Sequence, residues 1–236
     1  MKTNESNEKP TNESTGISLD VSIDEEVLLV SPVVKEFVDA DVDVHSNTIY
    51  AGFAEGGLDH AVPLNAFYDV KNAPENLSVE QAVLYIAENE QLSDAREYLY
   101  ERRRSILSVK FLKTNTVYYY KLQVTFSDGS TGVKKGSFHT ANTPRILSVD
   151  GIVNVRDIGG WATEQGKHIK QEMIYRGSEL DGVVAADYKL TPKGTQDMLN
   201  VLKIKTDMDL RSGNETKSVL SNASYVFSSL RNNGLA

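Results

Sequence analysis

The chain is 236 residues long, 40% hydrophobic and 25% charged, with 25 Lys+Arg against 33 Asp+Glu and a net charge of −8. That length allows one large domain or two small ones, and the composition is ordinary for a globular protein. With no cysteine anywhere, disulfides, thiolate metal sites, iron–sulfur clusters and a cysteine nucleophile are excluded from these residues.

In chain order, residues 3–16 are almost all Asn, Glu, Ser, Thr, Lys, Pro and Gly. Such a tract buries too little apolar surface to offset its ordering entropy, so a disordered polar tail is expected over 1–18. Residues 21–60 carry nine acidic side chains against one basic, which accounts for the −8. The remainder is near neutral and shows no basic footprint, so no nucleic-acid partner is expected. Arg102-Arg103-Arg104, the only tight basic cluster, reads as the polar face of a β-domain. No apolar run approaches the ~20 residues of a membrane helix, so no membrane span is expected. Met1–Glu5 lacks the apolar core of a signal peptide. Taken literally the chain is cytoplasmic, but polar tracts like this one also follow export signals and lipid anchors, which leaves a cell-envelope or secreted location open.

Strand candidates follow at Glu26–Val30, Thr48–Phe53 and His60–Val70. Propensity favours helix over much of 79–104. From Thr116 to Phe126, Tyr118, Tyr120, Leu122, Val124 and Phe126 alternate with other residues, which predicts a strand with one buried face. Asp128-Gly129 predicts a hairpin turn, and Val133–Thr140 the returning strand with Phe138 inward. Thr140–Pro144 is the clearest seam between domains. Beyond it, Val153–Asp157 opens a new segment, Ile158-Gly159-Gly160 and Gln165-Gly166 are turns, and Glu172–Arg176 is a short strand. Thr191 caps a helix with Pro192 in its first position, and Met198, Leu199 and Leu202 share one helical face. Ile204–Leu210 is a further strand. Strand, helix, strand in that order predicts an α/β arrangement.

Two patterns resemble known families. Leu112-x-Thr114-x-Thr116-x-Tyr118-x-Tyr120-x-Leu122-x-Val124, followed by Gly136-Ser-Phe138-His-Thr140, resembles the last strands of a fibronectin type III-like sandwich. The resemblance implies that Tyr118 forms the tyrosine corner and that Val79–Ala87 is a strand, against propensity. Thr114 stands where many members carry Pro. The second pattern is more specific. Asn154-Val-Arg156-Asp157-Ile-Gly159-Gly160-Trp161, then Ile174-Tyr175-Arg176-Gly177-Ser178-Glu179-Leu180, then Leu190-Thr191 through Ile204-Lys-Thr206-Asp-Met-Asp209-Leu210-Arg211-Ser212-Gly-Asn-Glu215, resemble three ordered motifs of the bacterial tyrosine/serine phosphatase family.

Together the resemblances imply an all-β sandwich (fibronectin type III-like) over 19–142, followed by an incomplete α/β phosphatase domain over 148–236. The family hydrolyses phosphoesters. A thiolate in a loop of backbone N–H groups attacks phosphorus, an Arg clamps the phosphoryl oxygens and an Asp protonates the leaving group. The family's loop, His-Cys-x5-Arg, lies beyond the Asp-Leu-Arg strand. Here the 21 residues after Glu215 contain neither a cysteine nor a Gly-rich strand-to-helix turn. The expectation is therefore a truncated protein tyrosine/serine phosphatase, inactive as this chain unless a downstream fragment complements it, with a phosphorylated protein or other phosphoester as substrate.

By resemblance, Asp209 is the candidate general acid, with a plain ion pair to Arg211 as the alternative. Arg176 and Arg211 are candidates for binding substrate phosphate. Arg156 and Asp157 read as an internal ion pair ordering the Gly159-Gly160 turn, Glu215 as a brace near the site and Trp161 as packing. His45, His60, His139 and His168 show no ligand spacing, so no metal and no cofactor are expected. Missing elements would leave apolar area exposed around Leu199, Leu202 and Met208. The competing reading is a non-enzymatic binding module that uses the β-sandwich to dock a polysaccharide, peptide or envelope partner.

Overall fold

Every second side chain from Tyr118 to Phe126 is buried in the computed structural model, which describes residues 16–39, 61–102, 104–183, 186–211 and 219–229. The chain runs β1 (Ser18–Ser22), β2 (Glu26–Val27), α1 (Pro32–Asp39), β3 (Leu64–Lys71), β4 (Val79–Ala87), β5 (Arg96–Leu99), β6 (Ile106–Val109), β7 (Val117–Phe126), β8 (Thr131–Thr140), β9 (Arg145–Leu147), β10 (Val155–Asp157), β11 (Tyr175–Arg176), α2 (Pro192–Gln196) continuing as a π-helical turn (Asp197–Val201), β12 (Thr206–Asp209) and β13 (Ser224–Phe227). The expected strand at Thr48–Phe53 and most of the expected polar tail lie outside the described residues, while Ser18 already begins β1.

The chain divides into two units, one of Met1–Ser22, Ala66–Leu107 and Tyr119–Ser137, the other of Ile23–Asn65, Ser108–Tyr118 and Phe138–Ala236. In the first, β4 runs antiparallel to both β5 and β7, and β8 neighbours β7 on its far side. Ala82, Leu84 and Ile86 of β4 and Leu122, Val124 and Phe126 of β7 point into its core. Two flanking partners settle β4 as a strand where intrinsic propensity favoured a helix. The turn at Asp128-Gly129 closes with Gly129 at φ +82°, a left-handed conformation that costs glycine little. A second sheet, in the order β1-β3-β6, pairs Ser18 with Lys71 through Ser22 with Phe67. The Tyr68 ring of β3 meets Tyr100 edge-on at 4.8 Å. The Tyr100 hydroxyl is buried and donates to the Ala66 carbonyl at 3.4 Å.

The second unit is built around β9, β10 and β11, an antiparallel sheet in the order β11-β10-β9. One apolar cluster joins Leu147, Val149, Ile152 and Val155 to Met198, Leu202 and Leu220; another joins Ile146 to Val30 and Val34. The segment read as a seam is buried: Thr140 and Ala141 are almost fully covered. The Thr114 hydroxyl lies 2.5 Å from the Ala141 carbonyl and 2.8 Å from that of Thr143, and accepts the Thr143 N–H at 3.1 Å. Tyr118 Oη accepts the Lys113 N–H at 2.8 Å, and its ring stacks on Phe138 at 5.4 Å.

The incomplete α/β domain expected over 148–236 is not what forms there. The described residues of that stretch hold short strands and a single helical segment, five residues of α2 plus five of π-helical turn. The cause is local. Between Asp157 and Leu190 the chain is punctuated by turns, with Gly160, Gly166, Glu172 and Gly182 all at positive φ, and among the described residues of that stretch no helix forms. The one helix that forms has the capping signal: the Thr191 hydroxyl accepts the Gly194 N–H at 3.0 Å, with Pro192 behind it. It stops at Lys203, which takes φ +55°. β12 and β13 then pair in parallel, Thr206 with Ser224 through Asp209 with Phe227.

Candidate functional site

β12 delivers Asp209 at its C-terminal end, and Arg211 follows two residues later. The two meet directly: Arg211 Nη2 donates to Asp209 Oδ2 at 2.7 Å, and the Arg211 backbone N–H donates to Oδ1 at 2.9 Å. Tyr225 on β13 adds its hydroxyl to Oδ2 at 3.2 Å. From the loop after β11, Asp181 takes the other guanidinium edge with two bonds, 2.8 Å at Nη1 and 2.9 Å at Nη2, and Glu179 accepts from Nη1 at 2.9 Å. One guanidinium thus serves three carboxylates. Hydrogen bonds from Arg211 hold both Asp209 and Asp181 below the usual carboxylate range, with burial opposing the shift. The same bonds, from Asp181 first and then Asp209, push Arg211 above its ordinary value. As arranged, Asp209 is an ionised acceptor. A general acid must carry a proton, so donation from Asp209 requires Arg211 to let it go.

A second, buried ion pair organises the turn after β10. Arg145 Nη1 donates to Asp157 Oδ2 at 2.7 Å with both side chains out of solvent, and its Nε and Nη2 donate to the Leu112 and Phe111 carbonyls at 2.8 and 2.9 Å. Asp157 Oδ1 accepts the Gly159 N–H at 2.8 Å, so this carboxylate does order the Gly159-Gly160 turn. Its cation is Arg145, however, and not the expected Arg156, because neighbours on a strand point to opposite faces. Glu172 joins the cluster at 3.3 Å from Arg145 and 3.5 Å from Lys113.

Arg156 lies on the other face of β10, half-buried, directly opposite Arg176 of β11. Trp161, read as packing, is 45% exposed. Glu215, His45 and His60 lie outside the described residues. His139 sits 3.3 Å from Glu26 and His168 pairs by backbone with Ala162, far from the Arg211 cluster in sequence. Among the described residues no group of His, Asp and Glu is arranged to hold a metal. None of the described helices is long and apolar enough to cross a membrane.

Sequence reasoning missed Glu179, Asp181, Tyr225, Arg145 and Glu172 as participants. Glu179 stands inside the second motif and was the one available signal. The others carry no local pattern.

Residues 147–234 match the model of the tyrosine phosphatase family, and residues 1–146 fall outside the match. No curated protein and no solved structure matches the chain significantly.

Proposed function

We propose that residues 147–234 are the phosphoester-handling part of a cysteine-dependent tyrosine/serine phosphatase and that this chain, having no cysteine, forms no phosphocysteine by itself. The observation that carries the reading is the Asp209–Arg211 cluster at the end of β12, inside the segment that matches the family. A phosphoryl group offers a guanidinium the same bidentate geometry as a carboxylate. The substrate's oxygens displace Asp181 from Arg211, draw the guanidinium off Asp209 and free that carboxyl to take up and then deliver a proton to the leaving oxygen. The thiolate comes from a separate segment bearing His-Cys-x5-Arg, and phosphorylated protein is the substrate class. Ahead of this part the chain reads as a fibronectin type III-like module, supported by the Tyr118–Lys113 contact.

The test is complementation with p-nitrophenyl phosphate as substrate. The full chain mixed with a phosphatase-family segment carrying the His-Cys-x5-Arg loop is expected to give vanadate-sensitive turnover, falling about 100-fold in Asp209→Asn. Complemented turnover that is indifferent to both Asp209→Asn and Arg211→Lys overturns the assignment.

A further inference from the structure

The turn at Gln165-Gly166 folds residues 158–174 back on themselves as a hairpin arm. Ala162 and His168 bridge in antiparallel register. The Ile169 N–H donates to the Trp161 carbonyl at 2.9 Å, and the Thr163 N–H to that of Lys167 at 2.7 Å. Trp161 therefore stands opposite Ile169, and Thr163 opposite Lys167. Opposed residues share a face, and the period of two puts both pairs on the same one, with Ala162 and His168 on the other. Both faces are open to solvent: every residue from 161 to 170 is exposed, Trp161 and Ile169 by 45 and 46%. At the base of the arm the Ile158 N–H donates to the Ile174 carbonyl at 2.9 Å, and Met173 and Ile174 are 63 and 65% exposed. Large apolar side chains gathered on one exposed element mark an interaction site.

Charge and shape decide what it meets. Among the described residues Lys167 and Lys170 meet no carboxylate, while Glu172, two positions further on, is engaged by Arg145 and Lys113. Between 161 and 170 two lysines stand against Glu164 alone, in a chain whose net charge is −8. A protein partner would need a cleft to cover a two-stranded arm open on both faces, whereas a fluid lipid headgroup layer closes around it. The amphipathic indole ring settles at that boundary. Lysine stems lie along apolar surface and carry their ammonium groups out to anionic headgroups.

We propose that the 158–174 hairpin seats the protein on an anionic lipid surface, with Trp161 and Ile169 at the boundary of headgroups and acyl chains and Lys167 and Lys170 on the headgroup charges. A few apolar side chains and two cations give reversible attachment, and no spanning helix is needed. The inference goes beyond the phosphoester reading, which rests on Asp209 and Arg211 and stands if the hairpin binds no lipid.

Trp161 is the only tryptophan in the chain, so its emission reports on the arm directly. The full chain is titrated with vesicles of phosphatidylcholine alone and of phosphatidylcholine and phosphatidylserine in equal parts, with co-sedimentation in parallel. Emission is expected to move to shorter wavelength, and the protein to sediment, with the anionic vesicles and much less with the neutral ones. Lys167→Gln and Lys170→Gln are each expected to lower partitioning about fivefold, and Ile169→Ser about tenfold. All three positions are exposed, so these variants keep the fold, and each retains the probe. Unshifted emission with anionic vesicles, equal partitioning into the two kinds of vesicle, or variants that bind as the parent does each overturns the proposal. An emission shift that follows protein concentration and ignores lipid assigns the arm to a protein contact and overturns it as well.

Discussion

Arg211 binds three carboxylates drawn from two places in the chain, and its consequences are first electrostatic. Asp209 and Asp181 are both held ionised below the ordinary carboxylate range. The stability they add is therefore present above about pH 4 and is lost as pH falls from there through their folded values. Urea midpoints measured against pH are expected to drop more steeply below pH 4 (about the carboxylate range) for the parent than for Asp181→Asn, and parallel curves contradict this. The buried Arg145–Asp157 pair makes a stronger demand. Asp157→Ala leaves a guanidinium with no solvent and its best acceptor gone, so a loss of about 3–5 kcal/mol is expected in urea unfolding. A loss below about 1 kcal/mol would mean that the carbonyls of Phe111 and Leu112 suffice. At this scale the sequence was legible only over short separations. Asp209 and Arg211 lie two residues apart, and their pairing could be weighed in advance. Asp181 and Glu179 reach the same guanidinium from 30 and 32 residues away, and Arg145 reaches Asp157 from 12. No pattern of residue types encodes those meetings.

Elements formed where a local signal and a partner agreed. The period-two run at Tyr118–Phe126 and the Thr191-Pro192 cap are both local, and both are found as read. Val79–Ala87 shows the limit of propensity: its pairing on both edges with Arg96–Leu99 and Val117–Phe126 decides the outcome, and the second of these partners lies more than 30 residues along the chain. The expected α/β layer is not found: its one expected helix forms only as the short segment from Pro192 to Val201, and between Asp157 and Leu190 the chain turns at Gly160, Gly166, Glu172 and Gly182, all at positive φ. α2 itself carries a test of how tightly it is seated. An alanine in a helix interior normally gains about 1 kcal/mol over glycine. At Gly194 a Cβ would fall 2.1 Å from the Asp150 carbonyl oxygen, a backbone atom that cannot swing aside. Gly194→Ala is therefore expected to destabilise by more than about 1 kcal/mol in urea unfolding, the reverse of the propensity rule. A stabilised variant would show that α2 is free to move off the 149–152 turn.

Across the whole molecule, the parallel pair β12–β13 stands out. Parallel strands are ordinarily covered on both faces, yet here Met208, Val226 and Phe227 are 59, 41 and 43% exposed. The sequence pointed to apolar exposure at Leu199, Leu202 and Met208; Leu202 is in fact buried in the core and Met208 carries the exposure. Met208→Lys is expected to lower concentration-dependent light scattering without changing the far-ultraviolet spectrum, and unchanged scattering would locate self-association elsewhere. The central proposal is chemical: residues 147–234 handle a phosphoester while the attacking thiolate is supplied by another segment. Incubation of the purified full chain, unaided, with p-nitrophenyl phosphate is its most direct test. No vanadate-sensitive release of p-nitrophenolate is expected; steady vanadate-sensitive release from a protein without a single sulfhydryl overturns the proposal.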